Sequence, residues 1–449
     1  METALSPNER FMDTAFTGKE LRNAVSFDPD RQLRGASGQA LLDEVLGMLA
    51  ATETRQRALK ESDAKRRSLT ASILLANLAA AAINRVDPDR FVAVGFNKNA
   101  YVGTGLGIAP MKALRDLLLD RGMIEGRLGV RREDTFNHGY IGSSLTRLRA
   151  TEGLRELIDA HGIGYPSIFR RLERGAFVVA NRSHGVDENP PPDVARTVVP
   201  IAEMNALIAS ASVQLPEDAW ARVVARRAAA ATKEKKERGD AGDLAATALF
   251  RSFTRDWKHG GRLYGGWWIN LPKEERPHLT IGGQRVVELD YSQLHPSILF
   301  ARVGIELGFD LYTLPGLESP GLRDLGKDTF ARLLNHTPKP GEPQTINVLR
   351  KHWKLLPADV PPGEYMRRFR ERLEPVERWL LIGEGLRLQR EDSDLALDVL
   401  RRMGSLGIVA LPVHDSFIVQ ASHGAILKRA MEEAYRERWG FNPRIKGLE

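Results

Sequence analysis

Two short apolar runs, each delivering an aspartate, constrain this chain more than any other feature. Val286–Leu289 reads as a strand ending in Asp290, and His295–Val303 then reads as a helix. Much further on, Gly407–Val413 is a second β-like run; it ends in His414-Asp415-Ser416 and continues as Phe417–Val419. The pattern predicts one carboxylate at a strand end and another at a hairpin turn between two strands. Carboxylates on neighbouring strands can share a pair of Mg²⁺ ions, with Mn²⁺ as a substitute, which is the arrangement used for in-line phosphoryl transfer. One ion activates the attacking oxygen, and the other stabilises the leaving oxygen and its pyrophosphate. A lone strand-then-Asp pattern is more often a turn or capping residue, so the surrounding residues must decide.

At 449 residues the chain exceeds one compact domain of roughly 100–200 residues and is expected to form two or three. With 42% hydrophobic and 27% charged residues it can bury a core, which excludes a mainly disordered chain. It has no cysteine, so disulfides, thiolate catalysis, zinc fingers and iron–sulfur ligation are excluded. The formal charge of +7 suits a polyanionic partner such as nucleic acid, and equally a plain basic surface. Met1–Arg10 carries no secretory pattern. The longest apolar run, Ile73–Ile83, is interrupted by Asn77 and falls short of the ~20 residues a membrane helix needs. The expectation is a cytoplasmic protein with no membrane partner; protein partners are left open.

Residues 1–67 read as a polar arm. A helix follows near Ser68–Arg85, capped by Ser68 or Thr70, then a short strand in Phe91–Phe96. A second helix runs from Pro110 to Leu119 and stops at Gly122. Ile124–Arg132 and Tyr140–Arg149 flank a polar loop, Glu133–Gly139. Helices followed by two strands around a basic turn match a winged helix over residues 68–190, with Arg127, Arg131, Arg132, Arg147 and Arg149 near phosphates. The alternative is a small α+β unit with solvated arginines. Gly103-Thr-Gly105-Leu-Gly107 lacks the lysine of a P-loop and reads as an ordinary loop. After a break at Pro190–Pro192, helices at Ile201–Ala209 and Pro216–Ala231 lead to a charged linker, Lys233–Arg238.

Several further segments place the two aspartates in a familiar order. Asp290-Tyr291-Ser292-Gln293-Leu294 resembles the D-Y-S-Q-I segment of family A DNA polymerases, the bacterial polymerase I group and its phage relatives. Val413-His414-Asp415-Ser416 resembles that family's V-H-D-E, and its Ser ending is closer to the H-D-S of single-subunit phage and mitochondrial RNA polymerases. Gly261-Arg262-Leu263 and Ile269-Asn270-Leu271-Pro272 are similar to the T-G-R-L-S-S and L-Q-N-I-P stretches. Arg323 and Lys327 match a fingers-helix pair spaced to share one face. Gln389-Arg-Glu-Asp-Ser-Asp394-Leu395 resembles Q-G-T-A-A-D-L in its Gln, Asp and Leu positions.

The resemblance covers about residues 258–420. It implies an α+β right-hand polymerase core: an antiparallel palm over residues 256–449 with a small fingers insert at about 305–385, and a helical thumb-like region over 191–255. It also implies Asp290, Asp415 and the Tyr291 carbonyl as metal ligands. Arg323 and Lys327 would bind triphosphate, with Lys327 protonating pyrophosphate, beside Tyr291 and His295 in the nucleotide site. Arg262, Asn270, Gln389 and His414 would contact the primer–template. Tyr264, Trp267 and Trp268 are candidates for stacking on bases.

Three departures bear on sugar choice and base stacking. His295 stands where the family has a Glu that rejects ribonucleotides, Ala331 and Asn335 replace the fingers aromatics, and Ser416 replaces Glu. No D-x-E constellation of a proofreading nuclease is visible upstream. The expected function is therefore a template-directed DNA polymerase without proofreading that adds dNTPs to a primer 3′-hydroxyl. The rivals are an RNA polymerase or primase using NTPs, and a non-catalytic DNA-binding replication initiator or regulator.

Overall fold

A computed structural model describes residues 24–52, 59–96, 101, 105–129, 131–133, 140–143, 145–170, 178–180, 190–232, 244, 246–254, 256–338 and 353–447. The fold is mixed α+β, as expected at the level of class. It divides into two compact units, residues 1–172 with 217–247, and residues 173–216 with 248–449. Arg131 and Arg132 are described in backbone only, and residues 103–104 and Lys233–Arg238 lie outside the described residues.

The first unit opens with β1 (Val25–Ser26), β2 (Arg31–Leu33), α1 (Gly35–Ala51) and α2 (Glu61–Ala82). There follow β3 (Val92–Val94), α3 (Ile108–Asp120), β4 (Ile124–Arg127), β5 (Arg131–Glu133), β6 (Tyr140–Ser143), β7 (Thr146–Ala150), α4 (Glu152–Ala160) and β8 (Ile168–Arg170). The main sheet has the order β1-β3-β7-β4; β5 pairs with β6, and β2 with β8. Helix α2 is buried all round over Thr70–Ala81 because its alanines and leucines leave no polar face. Asn77, the interruption in that run, is satisfied there: its Oδ1 accepts from the Asp28 amide and its Nδ2 donates to the Asp28 carbonyl, both at 2.8 Å.

Two expectations change here. Helix α2 begins at Glu61, where Glu61 and Asp63 favour the positive end of the helix dipole, so Ser68 and Thr70 lie inside it. Residues 24–52 are not a polar arm: Leu41, Val45 and Leu49 of α1 are buried in the core of this unit. Their helical spacing within 35–51 was the overlooked signal. Of the arginines placed near phosphates, Arg149 is paired with Glu125 and lies over the Phe91 ring, while Arg127 is exposed.

The second unit contains β9 (Val178–Ala180), α5 (Val198–Ser210), β10 (Val213–Gln214), β11 (Phe250–Phe253), β12 (Gly260–Tyr264), β13 (Thr280–Ile281), β14 (Gln284–Tyr291) and α6 (Leu294–Ala301). Then come α7 (Pro320–Asn335), α8 (Pro362–Glu371), α9 (Gly385–Ser405), β15 (Leu411–Val413), β16 (Ser416–Gln420), α10 (Gly424–Trp439) and β17 (Ile445–Lys446). The helix Glu217–Thr232, expected in a thumb-like region, groups with the first unit. An antiparallel sheet of order β10-β13-β14-β16-β15, with β17 added to β14, organises the site. Strand β14 alternates: Leu289 and Tyr291 are buried while Glu288 and Asp290 are half-buried on the other face.

A smaller sheet, β12-β11-β9, carries Arg251, which is fully buried. Its guanidinium donates to the Gly261 carbonyl (2.8 Å) and to Asp394 (2.9 Å). Burial lowers the Arg251 pKa to about 10, with Asp394 opposing that shift. Asp394 also takes Arg390, so this aspartate of the Gln389–Leu395 segment ties α9 to β11. Trp267 and Trp268 are buried, and the Trp268 indole donates to the Pro412 carbonyl (3.1 Å), so both pack rather than stack on bases. Tyr264 alone of that cluster is exposed.

Candidate active site

The two aspartates meet on adjacent strands. Asp290 is the register partner of Ser416 across β14 and β16, and the Tyr291 amide donates to the Asp415 carbonyl at 3.2 Å. Asp415 sits in the two-residue turn between β15 and β16, where His414 takes φ of 60°. Non-glycine residues at positive φ cost of order 1–3 kcal/mol and gather at functional sites. The described residues with this feature are Gln293, Leu381 and His414, and two of the three flank the aspartates.

The charges are crowded. Burial, then Asp415, then Glu288 raise the Asp290 pKa to about 7, with Lys273 and Lys446 pulling the other way. Glu288 is two residues before Asp290, so strand periodicity puts both on one face. It accepts from the Ser416 hydroxyl (2.6 Å) and from Arg276 (2.9 Å). Ser416 thus holds a glutamate from the neighbouring strand. Glu288→Gln should keep the packing but remove that charge. The expected result is an Asp290 midpoint below about 7, read by ¹³C NMR of labelled carboxyls; an unchanged midpoint would show that Glu288 does not act on it.

A second cluster centres on Asp392, which is buried. It accepts from Arg262 (Nε at 3.0 Å) and lies 2.8 Å from His295 Nε2. Burial works against the Arg262 charge, but Asp392, with help from Asp415, holds its pKa above the usual value. Arg262 is therefore committed to a carboxylate within the protein. His414 lies edge-on to Tyr264, with ring centroids 6.3 Å apart; its Nδ1 is buried without a partner among the described residues, and burial lowers its pKa. Gln389 is half-buried and Asn270 exposed.

Helix α7 supplies the basic residues. Ser319 caps it, and Arg323 and Lys327 lie one turn apart. Arg323 pairs with Asp310 (2.7 Å) and lies over the Tyr312 ring, whereas Lys327 is exposed with no ion-pair partner among the described residues. Gln293 anchors the segment carrying both: its side chain accepts from the Leu311 amide (2.7 Å) and donates to the Phe309 carbonyl (3.2 Å). Burial raises the Tyr312 pKa, Arg323 opposes this, and Asp415 adds to it, so the phenol lies within reach of that carboxylate's field. Tyr291 is buried, its hydroxyl donating to the Met431 carbonyl at 2.7 Å.

Gly326 lets α7 approach this segment. A Cβ there would stand 2.0 Å from the Tyr312 carbonyl oxygen, a backbone atom that cannot swing aside. Gly326→Ala should cost about 1–3 kcal/mol of stability in denaturant unfolding, and a variant as stable as the parent would contradict this close packing.

The sequence reading missed Glu288, Tyr312 and Asp392. Strand period could have found Glu288, and Asp392 lies inside the Gln389–Asp394 segment. Tyr312 reaches the site only through the Gln293 contacts, for which no local pattern exists.

Among the described residues no group of three or more His, Asp or Glu side chains converges closely enough to hold a metal ion. The donor set nevertheless fits Mg²⁺. That ion is commonly held by one or two carboxylates plus waters and substrate phosphates, and a carboxylate whose pKa is raised by burial and by neighbouring like charges is one a cation would relieve. Compared with protein-family models and with curated proteins, the chain matches none.

Proposed function

We propose that this chain is a template-directed nucleotidyltransferase, a DNA polymerase without proofreading that extends a primer 3′-hydroxyl with dNTPs. The observation that carries the reading is the meeting of Asp290 on β14 with Asp415 in the turn before β16, where burial and then the Asp415 charge raise the Asp290 pKa to about 7. The collinear resemblance to family A polymerases supports it. In this reading the second unit is the palm with a small fingers insert, and the helix–sheet arrangement of the first unit serves as a winged-helix module for DNA.

Asp290 and Asp415, with the Tyr291 carbonyl, would hold the magnesium ions, which when bound supply charge neutralisation and an activated 3′-oxygen. Arg323 and Lys327 hold the triphosphate, and Lys327, exposed and without an ion-pair partner among the described residues, donates the proton that leaves with pyrophosphate. Tyr312 orients Arg323 through its ring. His414 and Gln389, whose side chains have polar atoms without partners among the described residues, contact the primer end. Arg262 acts through Asp392, which fixes His295 beside the nucleotide.

Ribonucleotide use is the second reading: by the resemblance His295 stands where the family has a ribonucleotide-excluding Glu, and its ring lies 2.8 Å from Asp392. Extension of a labelled primer on a DNA template with Mg²⁺, in separate dNTP and NTP reactions, separates the two. Extension with dNTPs is expected. Products with NTPs alone would move the reading to an RNA polymerase or primase. DNA binding with no product in either reaction would favour an initiator or regulator.

A further inference from the structure

The last described strand puts a lysine beside the carboxylates. In the pairing of β14 with β17, Asp290 is the register partner of Lys446, so the two residues share a face of the sheet. Directly opposed residues on antiparallel strands have Cβ atoms about 4.5–5.5 Å apart, within reach of one another's charge. A second lysine comes from another element. The segment after Leu271-Pro272 is fixed to the sheet by the Arg276–Glu288 ion pair (2.9 Å), and Lys273 lies on it.

Both lysines are exposed, and neither has an ion-pair partner among the described residues. Lys446 faces Asp290 across the sheet, and Lys273 lies three residues before the Arg276 that holds Glu288. The two cations bias the site in a definite way. Arg323 and Lys327 come from α7, a separate element joined to this region through the Tyr312 ring and the Gln293 contacts. Lys273 and Lys446 belong to the Asp290 end. A polymerising site needs cations at both ends, one set for the incoming triphosphate and another for the strand being extended.

We propose that Lys446 and Lys273 bind the phosphodiester backbone of the primer strand next to its 3′ end, holding the terminal hydroxyl against Asp290. The proposal rests on the polymerase reading above. A lysine contacts phosphate as a mobile point charge, which suits a strand that must advance after each addition better than a rigid bidentate arginine would. The two side chains are positioning residues: they act on the primer, which presents its hydroxyl to the carboxylates.

The test is the salt dependence of binding of a labelled primer–template to the full chain, followed by fluorescence anisotropy between about 50 and 200 mM salt, without nucleotide. The variants are Lys446→Gln, Lys273→Gln, the double substitution and Lys446→Arg. Each Gln variant should lower the slope of log K against log salt by about 1, the double variant by about 2, and the Arg variant should retain the parent slope. Melting temperatures equal to the parent's would show that the sheet is intact.

An unchanged slope in the double variant overturns the proposal. So does an unchanged slope accompanied by a raised KM for the nucleotide, which would move the lysines to the triphosphate. A parent protein that fails to bind primer–template at all is a different result, because it defeats the polymerase reading itself.

Discussion

Asp415→Ala should lower templated nucleotide incorporation by about 10³-fold or more. A metal-holding carboxylate underwrites several kcal/mol of charge stabilisation in the transition state, and each 1.36 kcal/mol is about tenfold in rate. The substitution is clean because the Asp415 side chain makes no hydrogen bond among the described residues; only its backbone carbonyl is used, by Tyr291. The hairpin should therefore fold as before, and primer–template should still bind through Lys273 and Lys446. Rapid-quench single-turnover kinetics would read the rate, with anisotropy confirming that DNA binding persists. Loss of binding in parallel with rate would point to a structural role instead.

The second large effect concerns protons. Asp290 has a pKa of about 7 in the folded protein and an ordinary carboxylate value when unfolded. Between about pH 4 and pH 7 the folded state thus binds more protons than the unfolded state, and stability falls as pH rises. Below about pH 4 both states are protonated and the group contributes nothing; above about pH 7 the full penalty is present. A difference of about three units corresponds to up to about 4 kcal/mol.

Asp290→Asn should therefore stabilise the metal-free protein at pH 8 by up to about 4 kcal/mol and flatten its stability between pH 4 and pH 7, read by urea unfolding across pH. Mg²⁺ must displace the same proton. Its apparent affinity should rise with pH up to about 7 and then level off, with proton uptake by the buffer visible in calorimetry. Equal stability of parent and variant at pH 8 would mean that Asp290 is not held near its neutral form.

These effects show which parts of the site could be read from sequence and which could not. The strand–Asp runs placed Asp290 and Asp415 at a strand end and a hairpin turn because period and turn chemistry are local. The helix carrying Arg323 and Lys327 was legible for the same reason. Pairing registers are not local. Nothing near Lys446 announces that it faces Asp290, and nothing near Arg262 announces its partner Asp392. The tryptophans misled because Trp267 and Trp268 look identical whether they pack or stack, and only burial separates the two. Helix α1 was hidden by the glycines of its first turn, Gly35 and Gly38, which read locally as a break.

The most direct test of the central claim, that Asp290 and Asp415 form one metal-dependent centre for nucleotidyl transfer, is addition of a single templated nucleotide to a primer by the full chain. Parent, Asp290→Asn and Asp415→Ala would be compared with Mg²⁺ and with chelator. The account requires product from the parent with Mg²⁺, none with chelator, and near-complete loss in both variants. Product formed by either variant at the parent rate, or by the parent in chelator, would contradict it.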